Sequence, residues 1–175
     1  MKNSLVSLKK VSVSLNRQAN TLLANNNKQD RNRAKNVKLV KNIVDYVSKN
    51  IGTDTLIQVN AQSKTSETYN LGEISEKMLE YALTDDISAT KSLDKGFDCV
   101  LNDGAMVEFK SLVNNKPNAI SGYHRIYVLM VKTTGSGVYE IPAKTALTLK
   151  GERLDKALVM KYGTLNAKLS TRLGL

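Results

Sequence analysis

The order of hydrophobic patterns along this chain of 175 residues predicts an α/β protein, a sheet with helices packed on it. Three observations carry that expectation. Apolar residues recur at helical spacing through 31–49, and two alternating segments flank a glycine-closed turn at Asn102-Asp103-Gly104. A nearly continuous apolar run, Ile126 to Val131, has the pattern of a central strand buried on both faces.

Taken in order, residues 1–30 hold Lys9-Lys10, Arg17 and an Asn-rich run, with apolar patches of no sustained period. They read as a basic arm, or a weak helix near 19–24, outside a single domain spanning 31–175. Val37, Val40, Ile43, Val44 and Val47 then form the stripe of an amphipathic basic helix closed near Gly52. Ile57, Val59 and Ala61 alternate like a short strand, and a polar loop follows over 62–70. A second helix is expected over 72–84, with Ile74, Met78, Leu79 and Ala82 as its stripe and Glu73, Glu76 and Glu80 sharing another face. A loop covers 85–95, and strands cover 97–101 and 105–113. Beyond the apolar run, 133–137 turns the chain into a strand at 138–141. Helices are expected near Pro142 and over 152–161, before a short basic end at 166–175.

Composition excludes several classes. The lone Cys99 forms no internal disulfide, and one Cys with one His makes no zinc site of the usual four-ligand kind. A metal here would be held by carboxylate oxygens. No segment approaches an apolar membrane span and no secretory leader is evident, so a soluble, intracellular, cytoplasmic protein without membrane contact is expected. With two Phe and no Trp, the core must come mainly from Leu, Val, Ile and Tyr.

The net charge of +10 is unevenly spread. Residues 1–49 carry eleven Lys and Arg against two acids, residues 50–115 five against eleven, and residues 116–175 ten against three. An acidic middle suits cation binding, and basic flanks suit phosphates.

The turn at 102–104 sets a testable geometry. A three-residue hairpin loop with Gly104 in the left-handed region pairs Leu101 with Ala105, Val100 with Met106, Cys99 with Val107 and Asp98 with Glu108. Two carboxylates then oppose one another, Lys110 shares their face, and Phe97, Cys99, Leu101, Val107 and Phe109 take the other. Opposed acids destabilise a sheet, and a divalent cation between them would remove the repulsion. A two-residue turn would instead bring Asp98 opposite Phe109 and separate the acids.

The string from Gly96-Phe97-Asp98 to Glu108-Phe109-Lys110-Ser111 resembles the D…(D/E)xK signature of the PD-(D/E)xK nuclease superfamily, to which type II restriction enzymes and archaeal Holliday-junction resolvases belong. The likeness covers about sixteen residues, and Phe97 stands where the family's proline would be. Upstream, Gly72-Glu73-Ile74-Ser75-Glu76 resembles the family's early acidic helix. The resemblance implies a restriction-endonuclease-like central mixed sheet flanked by helices, and a Mg²⁺-dependent (or Mn²⁺-dependent) endonuclease hydrolysing DNA.

In that reading Asp98, Glu108, the Phe109 carbonyl and Glu76 hold the metal, which polarises the phosphodiester and activates a water. Lys110 orients that water or stabilises phosphate charge. Glu76 is preferred to Glu73, which should serve as an acid near the helix N-terminus. Lys35, Lys38, Lys41 and Arg125 are the candidate DNA contacts. A homodimer would suit double-strand cutting, and the Lys/Asn-rich composition fits a phage or bacterial gene. The competing reading is a non-catalytic nucleic-acid-binding or virion-associated structural protein with a nuclease-like fold. His124 and the buried-facing Cys99 read as structural, and Tyr46, Tyr81, Tyr123, Tyr127 and Tyr139 as packing residues, because they do not cluster along the chain.

Overall fold

A computed structural model describes residues 3–60, 69–92, 97–113, 118–131 and 135–175. The chain opens with a strand, β1 (Asn3–Ser7), and two long helices, α1 (Leu8–Ala24) and α2 (Lys28–Ile51). Ser7 caps α1 by accepting from the Lys10 amide at 3.2 Å, and Asn27 caps α2 by accepting from that of Asp30 at 2.8 Å. The helices form a hairpin whose facing stripes are Leu8, Val11, Leu15 and Ala19 against Val37, Val40, Val44 and Val47. Asp45 ties them together, accepting from the Ser12 hydroxyl and pairing with Lys41 at 2.6 Å.

The N-terminal region is therefore core, which corrects the expectation of an arm. Leu8, Val11, Leu15 and Ala19 recur at i, i+3, i+7 and i+11, a genuine helical stripe hidden by the polar residues between them. All four are fully buried.

β2 (Leu56–Asn60) pairs antiparallel with β1, Val6 opposite Ile57, in a two-stranded ribbon separate from the main sheet. The expected loop at 62–70 lies largely outside the described residues. α3 (Leu71–Ala82) follows, two residues short of its expected end, with Ile74, Met78 and Leu79 fully buried. A single 3-10 turn then leads to β3 (Ile87–Ser92), a strand where a loop was expected. Its sequence, Ile-Ser-Ala-Thr-Lys-Ser, lacks an apolar stripe because it is an edge strand, held by backbone pairing to β4 (Phe97–Leu101) with one irregularity in register.

β5 (Met106–Ser111) returns antiparallel to β4, and β7 (Arg125–Met130) runs parallel to β5. The described part of the connection between them holds only the two-residue β6 (Asn118–Ala119), without a helix. The turn expected at 133–137 lies partly outside the described residues. β8 (Gly137–Ile141) pairs antiparallel with β7. Next come α4 (Ala143–Thr148), β9 (Arg153–Leu154) paired with β6, α5 (Lys156–Tyr162), β10 (Thr164–Leu165) and α6 (Ala167–Arg172). The helix expected over 152–161 thus starts later, at an Asp155 cap that accepts from the Leu158 amide.

The main sheet has the order β10-β8-β7-β5-β4-β3, mixed because β5 and β7 alone are parallel neighbours. One face packs with α1, α2, α3 and α6 through Cys99, Val107, Phe109, Tyr127, Leu129 and Val138. On the other face Ile126, Val128, Met130 and Ile141 meet Ala146 of α4 and Val159 of α5. β7, with Val128, Leu129 and Met130 fully buried, is the central strand its apolar run predicts. Among the described residues no helix is long and apolar enough to cross a membrane.

Leu15→Ala should destabilise the protein by roughly 2–5 kcal/mol in urea unfolding, the cost of a cavity in a packed core. A loss below about 0.5 kcal/mol, typical of a surface site, would return α1 to the status of an appendage.

Candidate active site

Backbone geometry at the β4–β5 turn fixes the register. The Leu101 amide donates to the Ala105 carbonyl and the Gly104 amide to the Leu101 carbonyl, each at 2.9 Å. Gly104 has φ +85°, the left-handed conformation that the three-residue loop requires and that glycine adopts without strain. The ladder pairs Val100 with Met106 and Cys99 with Val107, as the three-residue loop predicts.

At the next step, where that register brings Asp98 opposite Glu108, the ladder stops. The Asp98 Oδ2 instead accepts the Phe109 amide at 2.7 Å. A strand residue directs its N–H and C=O to the same edge, so the Phe109 carbonyl faces the side from which Asp98 reaches in.

Side chains alternate as expected for Cys99, Leu101, Val107 and Phe109, all buried in the larger core. Phe97 departs from the expected core position: it is half-buried, with its ring 6.0 Å from that of His124. Glu108 and Lys110 lie beside Ile126 and Val128 on the opposite face, and Lys110 Nζ pairs with Glu108 Oε1 at 2.9 Å.

α3 supplies the third carboxylate. Its start is fixed by Asn70, whose Oδ1 accepts the amides of Gly72 and Glu73, and its buried stripe docks it against β5. Burial pushes the Glu76 carboxyl up to about 7, with Asp98, Glu108 and Glu73 adding to the rise and Lys110 opposing it. Glu76, Asp98, Glu108 and Lys110 are thus one electrostatic cluster, assembled from a helix and two strands. Glu80, expected on the same helix face as Glu76, pairs with Lys77 at 3.4 Å. Glu73 sits in the first turn, as expected of an acid near a helix N-terminus.

Burial works to lower the Lys110 pKa, but its hydrogen bond to Glu108 and the charges of Glu108, Glu76 and Asp98 outweigh it, and the ammonium is held above its ordinary value. The Cys99 thiol is pushed up to about 12 by burial and then by Asp98 and Glu80, so it stays protonated and unreactive.

Glu76, Asp98, Glu108 and the Phe109 carbonyl offer hard oxygen donors suited to Mg²⁺ or Mn²⁺. Among the described residues no three His, Cys, Asp or Glu side chains are gathered as a metal-holding group. Uncompensated carboxylates repel, and Glu108 here takes the Lys110 ammonium as its partner.

The expected nucleic-acid contacts divide. Lys35 and Lys38 are exposed on α2. Lys41 is engaged by Asp45. Arg125, expected at the edge of the site, pairs with Glu140 at 3.1 Å and Asp103 at 3.6 Å. It lies beside Val107, and strand alternation directs it to the face opposite Glu108 and Lys110. His124 is 5% exposed, and its Nδ1 has no hydrogen-bond partner among the described residues. Sequence reasoning missed the grouping of Phe97, His124, Tyr123 and Lys150, for which linear spacing holds no signal.

No family model, curated protein or solved structure matches the chain.

A raised Glu76 makes stability depend on pH. Between about pH 4.5 and 7 the folded chain keeps a proton that the unfolded chain has released, so its contribution is full below 4.5 and is lost as pH rises through 7. Glu76→Gln should remove that slope, leaving a variant more stable than the wild type above pH 7 by on the order of 2 kcal/mol. Urea midpoints measured from pH 4 to 8 test this; parallel curves for the two proteins would contradict the cluster.

Proposed function

We propose that the chain is a metal-dependent endodeoxyribonuclease, using Mg²⁺ or Mn²⁺, with a site like that of the PD-(D/E)xK superfamily and a restriction-endonuclease-like fold. The observation that carries this reading is the convergence of Glu76 on Asp98, Glu108 and Lys110. Glu76, carried by a separate helix, is raised by burial and then by the charges of Asp98 and Glu108. The donor chemistry fits a divalent cation, which would offset both the burial that chiefly raises Glu76 and the smaller repulsion from Asp98 and Glu108.

Asp98, Glu108, Glu76 and the Phe109 carbonyl would hold the metal. When bound, a divalent ion at such a site supplies Lewis acidity to the phosphodiester and to the attacking water. Asp98 contributes order as well as charge, since its bond to the Phe109 amide keeps β4 and β5 in fixed relation beyond the ladder. Lys110 orients the attacking water, or neutralises charge growing on the phosphate, from its position beside Glu108. Lys35 and Lys38 provide contacts to the backbone of DNA. The neighbouring Asn36 donates its Nδ2 to the Val113 carbonyl at 2.7 Å, which anchors this part of α2 just beyond the strand carrying Lys110.

A second reading, a non-catalytic nucleic-acid-binding or virion-associated structural protein, draws support from the Lys110–Glu108 pair, which neutralises part of the cluster without any metal.

Incubation with supercoiled plasmid and Mg²⁺ should give nicked or linear DNA, and EDTA should abolish the reaction. Asp98→Asn and Lys110→Ala should each lower the rate on the order of 100-fold or more. Both should remain folded, since in Asp98→Asn the side-chain amide oxygen can still accept the Phe109 amide. Tight binding of plasmid with no cleavage in either metal would favour the second reading.

Replacing Lys35 and Lys38 together by Gln should reduce the slope of log affinity for duplex DNA against log salt by roughly 2. An unchanged slope would leave α2 as scaffold only.

A further inference from the structure

Outside the carboxylate cluster, the fold assembles a row of rings that begins at the chain neighbour of Asp98 and ends at solvent. Phe97, the residue before Asp98, lies 6.0 Å from His124 between ring centroids, tilted by 56°. His124 lies 6.3 Å from Tyr123 in an edge-on arrangement. Tyr123 ends the row at the surface, 58% exposed. Lys150, just past α4, donates its ammonium to the Tyr123 hydroxyl at 2.8 Å and sits 4.7 Å from that ring's centroid.

The row is tied to the cluster at two points. Phe97 adjoins Asp98 in the chain, and His124 leads into β7, whose Ile126 lies beside Glu108. Backbone constraints hold the exposed end in place: Gly122 has φ +83°, and a Cβ there would come within 3.2 Å of the Leu147 backbone and of the Lys150 side chain. The segment bearing Tyr123 is therefore pressed against the end of α4, which brings residues 27 positions apart together.

An exposed aromatic face beside a lysine is the combination that binds unpaired nucleotides, the ring stacking on a base and the cation meeting a phosphate. Duplex DNA keeps its bases stacked within the helix and offers such a ring nothing to stack on. The buried His124 Nδ1 adds an independent observation, because buried polar atoms normally have a partner and this one has none among the described residues. The surrounding segment, 116–175, carries ten cations against three acids and is complementary to a polyanion.

We propose that Tyr123 and Lys150 form a single-strand subsite of the candidate active site, so that the substrate is DNA with unpaired, unstacked nucleotides next to the cleaved bond. This rests on the nuclease reading for its connection to cleavage but is tested by binding alone.

Fluorescence anisotropy in EDTA with a labelled oligothymidylate of about a dozen nucleotides separates the two. Wild type and Tyr123→Phe should bind it alike, since both retain a ring. Tyr123→Ala should bind about tenfold more weakly, equivalent to about 1.4 kcal/mol, with little change toward a duplex of the same length. Lys150→Gln should lower the salt slope for the oligothymidylate by roughly 0.7, one phosphate contact. Tyr123 is exposed, so its replacement should leave the melting temperature unchanged. Unaltered oligothymidylate binding by Tyr123→Ala, equal losses on single strand and duplex, or no wild-type binding would each overturn the subsite. Absence of metal-dependent cleavage by the wild type would defeat the nuclease reading, and cleavage retained in Asp98→Asn or Lys110→Ala would defeat its site assignment, while both leave these binding results interpretable on their own.

Discussion

Asp98 reaches the Phe109 amide because the turn at 102–104 holds β4 and β5 in a single register. A slip of one residue would send every side chain of β5 to the other face. Val107 and Phe109 would leave the core, and Glu108 and Lys110 would be driven into it. The buried apolar residues and the acidic site therefore enforce the same alignment from opposite faces of one hairpin. Gly104 is the small local device that makes the alignment attainable without backbone strain.

The end of the ladder matters as much as its register. Were the pairing to continue past Cys99 and Val107, a backbone group would satisfy the Phe109 amide. Here a carboxylate does so, which spends one oxygen of Asp98 on structure. Burial is the main cause of the raised Glu76, with the neighbouring negative charge adding to it, and that charge outweighs burial in holding Lys110 high. Such an arrangement opposes stability, and sites that do so are commonly those where a chain binds something. The α1–α2 hairpin offsets part of that burden by joining the main core through two full helical stripes.

Basic residues are numerous, but the fold sorts them. Asp45 engages Lys41, while Glu140 and Asp103 engage Arg125, and neither cation is available on the same terms as Lys35 or Lys38. Pairs at the surface, here partly exposed, contribute little to stability, roughly 0–1 kcal/mol, but they change which charges a polyanion meets.

Local rules determined much of this in advance. The β4–β5 register followed from turn chemistry and alternation, α2 and α3 from apolar spacing, and β7 from its unbroken apolar run, because in each the signal is contained within a few consecutive residues. Edge strand β3 escaped because its stability comes from hydrogen bonds to a neighbour, and α1 because its four buried apolar positions are too sparse to stand out from polar sequence. No local pattern joins Glu76 to residues more than twenty positions away, a grouping that the family resemblance alone implied, and none joins Tyr123 to Lys150. Those meetings depend on how α3 docks on β5 and how α4 closes over β7, and docking is settled by long-range packing of buried side chains, a property of the whole core that no single segment contains.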